Sequence, residues 1–232
     1  MSKFLQKAKA LLNTELILPN NLTSLGLTAF FSKKTPVKEL KPVFFPKQVH
    51  GTTIKVFKNF EDLSQNFEAD GTLCIGVKGF VGIKTADCVP ILLASKDSKC
   101  FAAIHAGWRG SLNGILKKGI EMILSFGYSE KDIFIAIGPH IKVCCYEVKE
   151  DVLLAFKNTY PDVWQDFFVK SKDKIFLDLL KVNLFQAKAF GIPEENVWIS
   201  KDCTFCTPGY ASFRRDGNLR LNQLSVIGKD EE

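Results

Sequence analysis

Only three histidines occur in the 232 residues, and two of them stand beside glycine, in KQVHG (47–51) and HAGWRG (105–110). Glycine permits tight turns and close backbone approach by a ligand, which predicts that His50 and His105 face the rim of a cleft. Between them lies TADCVPILL (85–93), where a turn of small and polar residues carries Cys88 to the mouth of an apolar strand. Zinc accepts imidazole and thiolate together, and a catalytic zinc commonly keeps three protein ligands and one open position. The separations match no short zinc-finger spacing. Taken singly, each histidine also reads as an ordinary hydrogen-bonded residue, and Cys88 as a small buried hydrophobe.

Around these residues the chemistry is softer. Arg109 and Ser111 precede an apolar-periodic run from Leu112, where free backbone N–H groups favour a phosphate. Arg109 reads as an anion contact or as an arginine packed on Trp108, and Ser111 as the helix N-cap and a substrate contact. Gln48 can hydrogen-bond a base or ribose, or serve a strand edge. Asp87 can orient a ligand or close a turn. Arg214 and Arg215 precede Asp216-Gly217, so one of them, here Arg215, is expected to reach substrate. Cys203 and Cys206 form a C-x-x-C that could join Cys144 and Cys145 in a four-thiolate site. Adjacent cysteines point awkwardly for chelation, however, and an isolated C-x-x-C is common by chance. Cys74 and Cys100 fall in strand patterns and read as core.

The elements that must position these groups are short and mixed. Strand-like runs cover 27–31, 53–57, 71–77, 79–84, 90–94 and 100–106. Apolar spacing from Leu112 to Ile123 predicts a helix. A strand at 134–138 follows, then helical patterns near 149–159 and 176–190, and late strands at 197–200 and 224–228. The order predicts an α+β fold: mixed β-sheets forming a central sandwich-like core flanked by helices, in a single domain over residues 1–232. With 46% hydrophobic residues and 20 Phe, the chain fills a core without disulfides.

The seven cysteines are odd in number and follow no secreted-domain spacing, which suggests a reducing compartment. Polar residues interrupt every apolar run near the N-terminus, so no signal peptide or membrane span is expected, and the location reads as cytoplasmic. The net charge of +6 is spread thinly. That argues against nucleic-acid binding and suits phosphorylated small molecules. The reading is a monomer or homodimer.

The ordered series KQVHG, EADG (68–71), TADCVPILL, HAGWRG, AIGPHIKVCCYEV (136–148), DCT (202–204) and SFRRDG (212–217) resembles the YfiH-type family. Its members are also called laccase-domain or polyphenol oxidase proteins. The resemblance runs from about residue 47 to 217. It implies one zinc ion held by His50, Cys88 and His105, which then serve as the catalytic residues. It also implies a purine nucleoside phosphorylase acting on adenosine, inosine, guanosine and methylthioadenosine, with adenosine deaminase activity. The partners implied are a purine nucleoside and phosphate. Two departures stand out. His140 follows Gly-Pro where the family usually has a small residue, and it reads as a local substitution rather than a ligand. The family's Thr-Gly-Arg turn is replaced by GNLRLNQLSVIG, with Arg220 the counterpart arginine.

Rival readings differ in class. Multicopper oxidation needs many imidazoles, which three histidines do not supply, although copper could occupy the His, Cys, His set. The H-x-E and P-C-x-x-C signature of zinc cytidine deaminases is absent. A cysteine hydrolase, including one that edits peptidoglycan precursors, would use Cys88 with His105 or His50 as base. A metal-dependent scaffold is the non-enzymatic alternative.

Overall fold

Strand sequences that are apolar at nearly every position must be covered on both faces. VPILLAS and CFAAIHA are such runs, and in the computed structural model they form β7 (Val89–Ser95) and β8 (Cys100–Ala106), buried along their whole length. Residues 2–36, 40–59, 67–217 and 221–230 are described. β7 and β8 pair antiparallel at the centre of a six-stranded sheet. Its order is β13 (Val197–Ile199), β9 (Ile133–Ile137), β7, β8, β5 (Gly71–Ile75) and β4 (Ile54–Phe57). The outer pairs, β13 with β9 and β4 with β5, are parallel.

A five-stranded sheet covers one face. It runs β1 (Leu16–Ile17), β2 (Thr28–Ser32), β14 (Gln223–Lys229), β6 (Gly79–Thr85) and β3 (Val43–Phe44). Phe31, Ile83 and Ile227 from this sheet meet Leu92, Phe101 and Ala136 from the other in one buried cluster. Burial of each such side chain contributes about 1.5–3 kcal/mol, so this interface is a principal source of stability.

Helices close both outer faces. On the six-stranded sheet, Ile91, Leu93 and Ile104 pack against Ile115, Leu116 and Ile120 of α4 (Ile115–Ser125) and Val182 of α6 (Leu179–Ala189). On the five-stranded sheet lies α1 (Lys3–Leu12), whose Phe4 stacks on Phe80 at 3.9 Å. The short α2 (Asn20–Thr23) ties in through Asn21, whose amide donates to the carbonyls of Ile135 and Asn196. Between β8 and α4 comes α3 (Trp108–Leu112). A three-stranded sheet of β10 (Glu147–Val148), β12 (Lys174–Leu177) and β11 (Phe168–Ser171) sits beside α5 (Glu150–Thr159), and α7 (Phe213–Asp216) precedes β14. This is the expected α+β sandwich flanked by helices.

Two local expectations are corrected and one unpredicted element is added. The helix expected from Leu112 begins at Trp108, directly after β8, and is broken at Gly114, whose φ of 75° no helix accepts. Ser111 therefore lies inside α3 and is not a cap. The helix expected over 176–190 starts at Leu179, because Ile175 and Phe176 pair with Lys170 and Val169, and the Asp178 side chain then accepts from Lys181 N–H to cap α6. Finally, the interrupted N-terminal run is an amphipathic helix. Phe4, Leu5, Ala8 and Leu12 are buried, and the Lys and Gln residues between them mark the solvent face. No helix among the described residues is long and apolar enough to cross a membrane.

Candidate functional site

Two of the three metal-type side chains sit at the ends of strands and the third in a turn. His105 is the penultimate residue of β8 and is buried. Cys88 immediately precedes β7, in a turn where Asp87 takes a φ of 94°. His50 occupies a turn with a φ of 61°. Because β7 and β8 are neighbours, with Pro90 opposite His105, the Cys88 turn and the end of β8 converge at one edge of the sandwich. The three donor atoms all lie within 4.8 Å of one another, and the two imidazole rings meet edge to face.

What orients them is Asp70, at the threshold of β5 and fully buried. Its Oδ1 accepts from His105 Nδ1 at 2.8 Å and from the backbone N–H of His50 at 2.9 Å, while Oδ2 accepts from the N–H of Gly51 at 2.6 Å. A carboxylate can only accept, so His105 carries its proton on Nδ1 and turns Nε2 toward Cys88 and His50. Burial disfavours the charge on Asp70, yet His105 and these N–H donors outweigh it and keep the carboxyl below its ordinary range.

The same contacts tune the donors. Burial works against a Cys88 thiolate, but His105 and then His50 bring the thiol down to about 6. Burial likewise disfavours imidazolium at His105, but Asp70 and Cys88 raise it to about 9. A soft divalent cation fits this set, since it takes a ready thiolate and two imidazoles. Gly107 keeps the space open: a Cβ there would meet the His50 ring at 3.2 Å and Cys88 Sγ at 3.3 Å.

A cleft of about 430 Å³ opens along the start of α3, lined by Trp108, Arg109, Tyr146, Glu147, Lys149 and Arg214, among others. Arg109 stacks over Trp108 at 4.3 Å and Arg214 over Tyr146 at 5.2 Å. Burial, followed by the charge of Cys88, raises the Tyr146 phenol well above its usual value. A larger cavity, about 670 Å³, lies along α6 and β13 and contains none of these residues. Its size does not make it the chemical site.

The structure sorts the candidates. His50, Cys88 and His105 come together. Arg109 lines the cleft and also packs on Trp108, so both readings of it hold. Gln48 is spent on Lys84, whose N–H and carbonyl it binds at 2.8 Å each, the structural alternative. Ser111 is fully buried, with its Oγ accepting from Asn183 at 3.0 Å, and it faces α6 rather than the cleft. Arg215 donates to the carbonyls of Thr204, Phe205 and Tyr210 and pairs with Asp216. Its neighbour Arg214 takes the cleft position instead. Asp87 accepts from Thr204 Oγ1, Ser212 Oγ and Arg214 N–H, so it anchors α7 and the arginine. His140 is buried, with Nδ1 bonded to the Gly138 carbonyl, and joins no donor cluster among the described residues. Arg220 lies outside the described residues. Cys144, Cys145, Cys203 and Cys206 do assemble, contrary to expectation, with all four sulfurs within 4.8 Å of one another. Cys74 and Cys100 are buried in β5 and β8, as expected. Asp70 escaped sequence reasoning, although an acidic residue in EADG next to a strand was the available signal.

Fold and site together define an α+β sandwich with a two-histidine, one-cysteine centre of metal-binding type at its edge. A family model described as multi-copper polyphenol oxidoreductase laccase matches residues 29–229, and the chain belongs to that family. A purine nucleoside phosphorylase of Aquifex aeolicus is 32% identical over 221 residues, covering 95% of each chain. One from Clostridium acetobutylicum is 34% identical, covering 82% of this chain and 78% of its own length. Adenosine deaminase RL5, from an unknown prokaryotic organism, is 31% identical, covering 79% of this chain and 72% of its own. The fold matches that of YlmD from Geobacillus stearothermophilus with a TM-score of 0.79 at 24% identity, covering 89% of this chain and 93% of the other.

Proposed function

We propose that this chain is a cytoplasmic purine nucleoside phosphorylase dependent on one zinc ion bound by His50, Cys88 and His105. Its substrates are adenosine, inosine, guanosine and methylthioadenosine, and it also deaminates adenosine. The observation that carries the reading is the convergence of the three donors, with Asp70 behind them, together with a cleft along the start of α3 that bears two arginines. The names of the relatives support the substrate class.

Phosphorolysis breaks the bond between the purine nitrogen and the anomeric carbon and joins that carbon to a phosphate oxygen, with the proton passing to the leaving purine. A bound zinc ion supplies a Lewis acid for an oxygen ligand and lowers the pKa of bound water. The chain's own groups do the rest. Arg109 and Arg214 offer guanidinium groups to the phosphate. Trp108 and Tyr146 offer ring faces to the purine. Asp70 keeps the Nδ1 proton on His105 and prevents the ring from turning. Pure protein given adenosine and phosphate is expected to release adenine and ribose 1-phosphate. Given adenosine alone, it is expected to form inosine and ammonia. Full activity after zinc removal would refute the metal-dependent reading.

One observation favours a second reading. The Cys88 sulfur and a His105 ring nitrogen lie within 4.8 Å, and each favours the charged form of the other, as in the thiolate and imidazolium pair of a cysteine nucleophile. Such an enzyme would be a hydrolase, with peptidoglycan precursors among its candidate substrates. Alkylation of Cys88 that abolishes turnover in zinc-free, active protein would support it. Copper in the same three-donor centre, with phenol oxidation, would instead support polyphenol oxidase chemistry.

A further inference from the structure

The remaining four-cysteine cluster has no part in the site described above. Cys144 and Cys145 sit in a turn closed by N–H donation from Cys145 and Tyr146 to the Lys142 carbonyl, 3.0 Å each. In an extended strand, adjacent side chains point to opposite faces, but this turn gathers both sulfurs on one side, 3.4 Å apart. A second turn, closed by Thr207 N–H donating to the Cys203 carbonyl, presents Cys203 and Cys206 to the first pair. Cys145 reaches both Cys144 and Cys203, and Cys206 reaches both Cys203 and Cys145.

All four thiols are free, and their sulfurs lie within 4.8 Å of one another. A tetrahedral zinc site with Zn–S of about 2.3 Å has sulfurs about 3.8 Å apart, so small side-chain rotations would complete one. The backbone N–H of Lys142 already donates to Cys203 Sγ at 3.4 Å, as a negatively charged sulfur favours. The Lys142 ammonium, bound to the Ser200 carbonyl at 2.9 Å, brings a positive charge against the excess negative charge of four thiolates.

We propose that Cys144, Cys145, Cys203 and Cys206 bind a second zinc ion as a closed, four-thiolate structural site. Its place in the fold defines its task. The first pair leads directly to Tyr146 in the wall of the cleft. The second flanks Thr204, which binds Asp87, the anchor of Arg214. One ion thereby clamps two loops that carry the cleft's aromatic and cationic walls. The inference stands whether or not the other centre performs phosphorolysis.

Elemental analysis of the full chain, purified under reducing conditions after expression with zinc, tests it. Two zinc equivalents per chain are expected, falling to one in Cys203→Ser/Cys206→Ser and in Cys144→Ser/Cys145→Ser. Should those variants fail to fold, His50→Ala/His105→Ala provides the complementary arm. It is expected to keep one equivalent and, with cobalt in place of zinc, to show the intense sulfur-to-metal charge transfer of a four-thiolate site. A single equivalent in the unmodified chain that survives the cysteine substitutions overturns the proposal. So do two equivalents retained without the cysteines, no metal in the histidine variant, or a Cys203–Cys206 disulfide in protein handled without oxygen.

Discussion

At the scale of single residues, Asp70 is the group on which the proposed metal centre depends without contributing a donor. Its carboxylate holds the His105 ring and two backbone N–H groups of the His50 turn, so it sets two of three donors at once. Asp70→Asn preserves volume but cannot accept at both oxygens. Zinc affinity is expected to fall about 10- to 100-fold, as for other carboxylates behind ligating histidines, measured by competition with a chelator. Unchanged affinity would show that Asp70 serves only the fold. His50, Cys88 and His105 were legible because histidine is scarce here and each donor stands in a turn or at the end of a strand, close to a glycine or a turn. Asp70 was not, because a turn aspartate looks the same whether it faces solvent or a histidine. Arg214 and Arg215 were indistinguishable for a similar reason: only the helical geometry of α7 decides which guanidinium faces the cleft and which folds back on the loop.

At the scale of elements, the turn before β7 and the helix α7 act as one unit through Asp87. Three donors, Thr204 Oγ1, Ser212 Oγ and Arg214 N–H, converge on a carboxylate that is 8% exposed. Leaving a buried hydrogen-bonding group unpartnered costs about 1–3 kcal/mol. Asp87→Ala is therefore expected to lower the melting temperature by roughly 2–12 °C in a chain of this size, at about 2–4 °C per kcal/mol. It is also expected to raise the KM for phosphate by freeing Arg214. Thermal denaturation and steady-state kinetics check the two effects, and a lowered Tm with unchanged KM would separate Arg214 from the anion. The central strands were legible because their apolar runs admit no other placement. Helix starts were less so. Gly114 breaks the pattern around α3 without altering its apolar spacing, and the hairpin of β11 and β12 recruits Ile175 and Phe176 from an apparently helical run.

At the scale of the whole molecule, two facing sheets fasten the site edge while charged groups hold the periphery. Asp97, remote from both cysteine-containing centres, accepts from Ser95 Oγ at 2.6 Å, from Lys99 N–H and from Tyr128. Slight burial opposes its charge, but these donors outweigh it and hold its pKa below the ordinary value. A carboxyl whose pKa is depressed on folding contributes stability above its unfolded pKa, about 3.9, and that contribution is lost as pH falls through the folded value. Asp97→Asn is expected to flatten the decline of Tm below about pH 4. An acid limb as steep as in the unmodified chain would contradict this. The layered architecture was legible from composition and strand order, whereas α1 was not, since its polar face resembled an interruption rather than a surface.

The central claim, that His50, Cys88 and His105 hold one metal ion, is tested most directly by anomalous diffraction from crystals at the zinc absorption edge. A peak bonded to all three side chains is expected, at about 2.0–2.1 Å from each imidazole nitrogen and about 2.3 Å from the sulfur. A map from zinc-loaded protein with no peak between these three residues would contradict it.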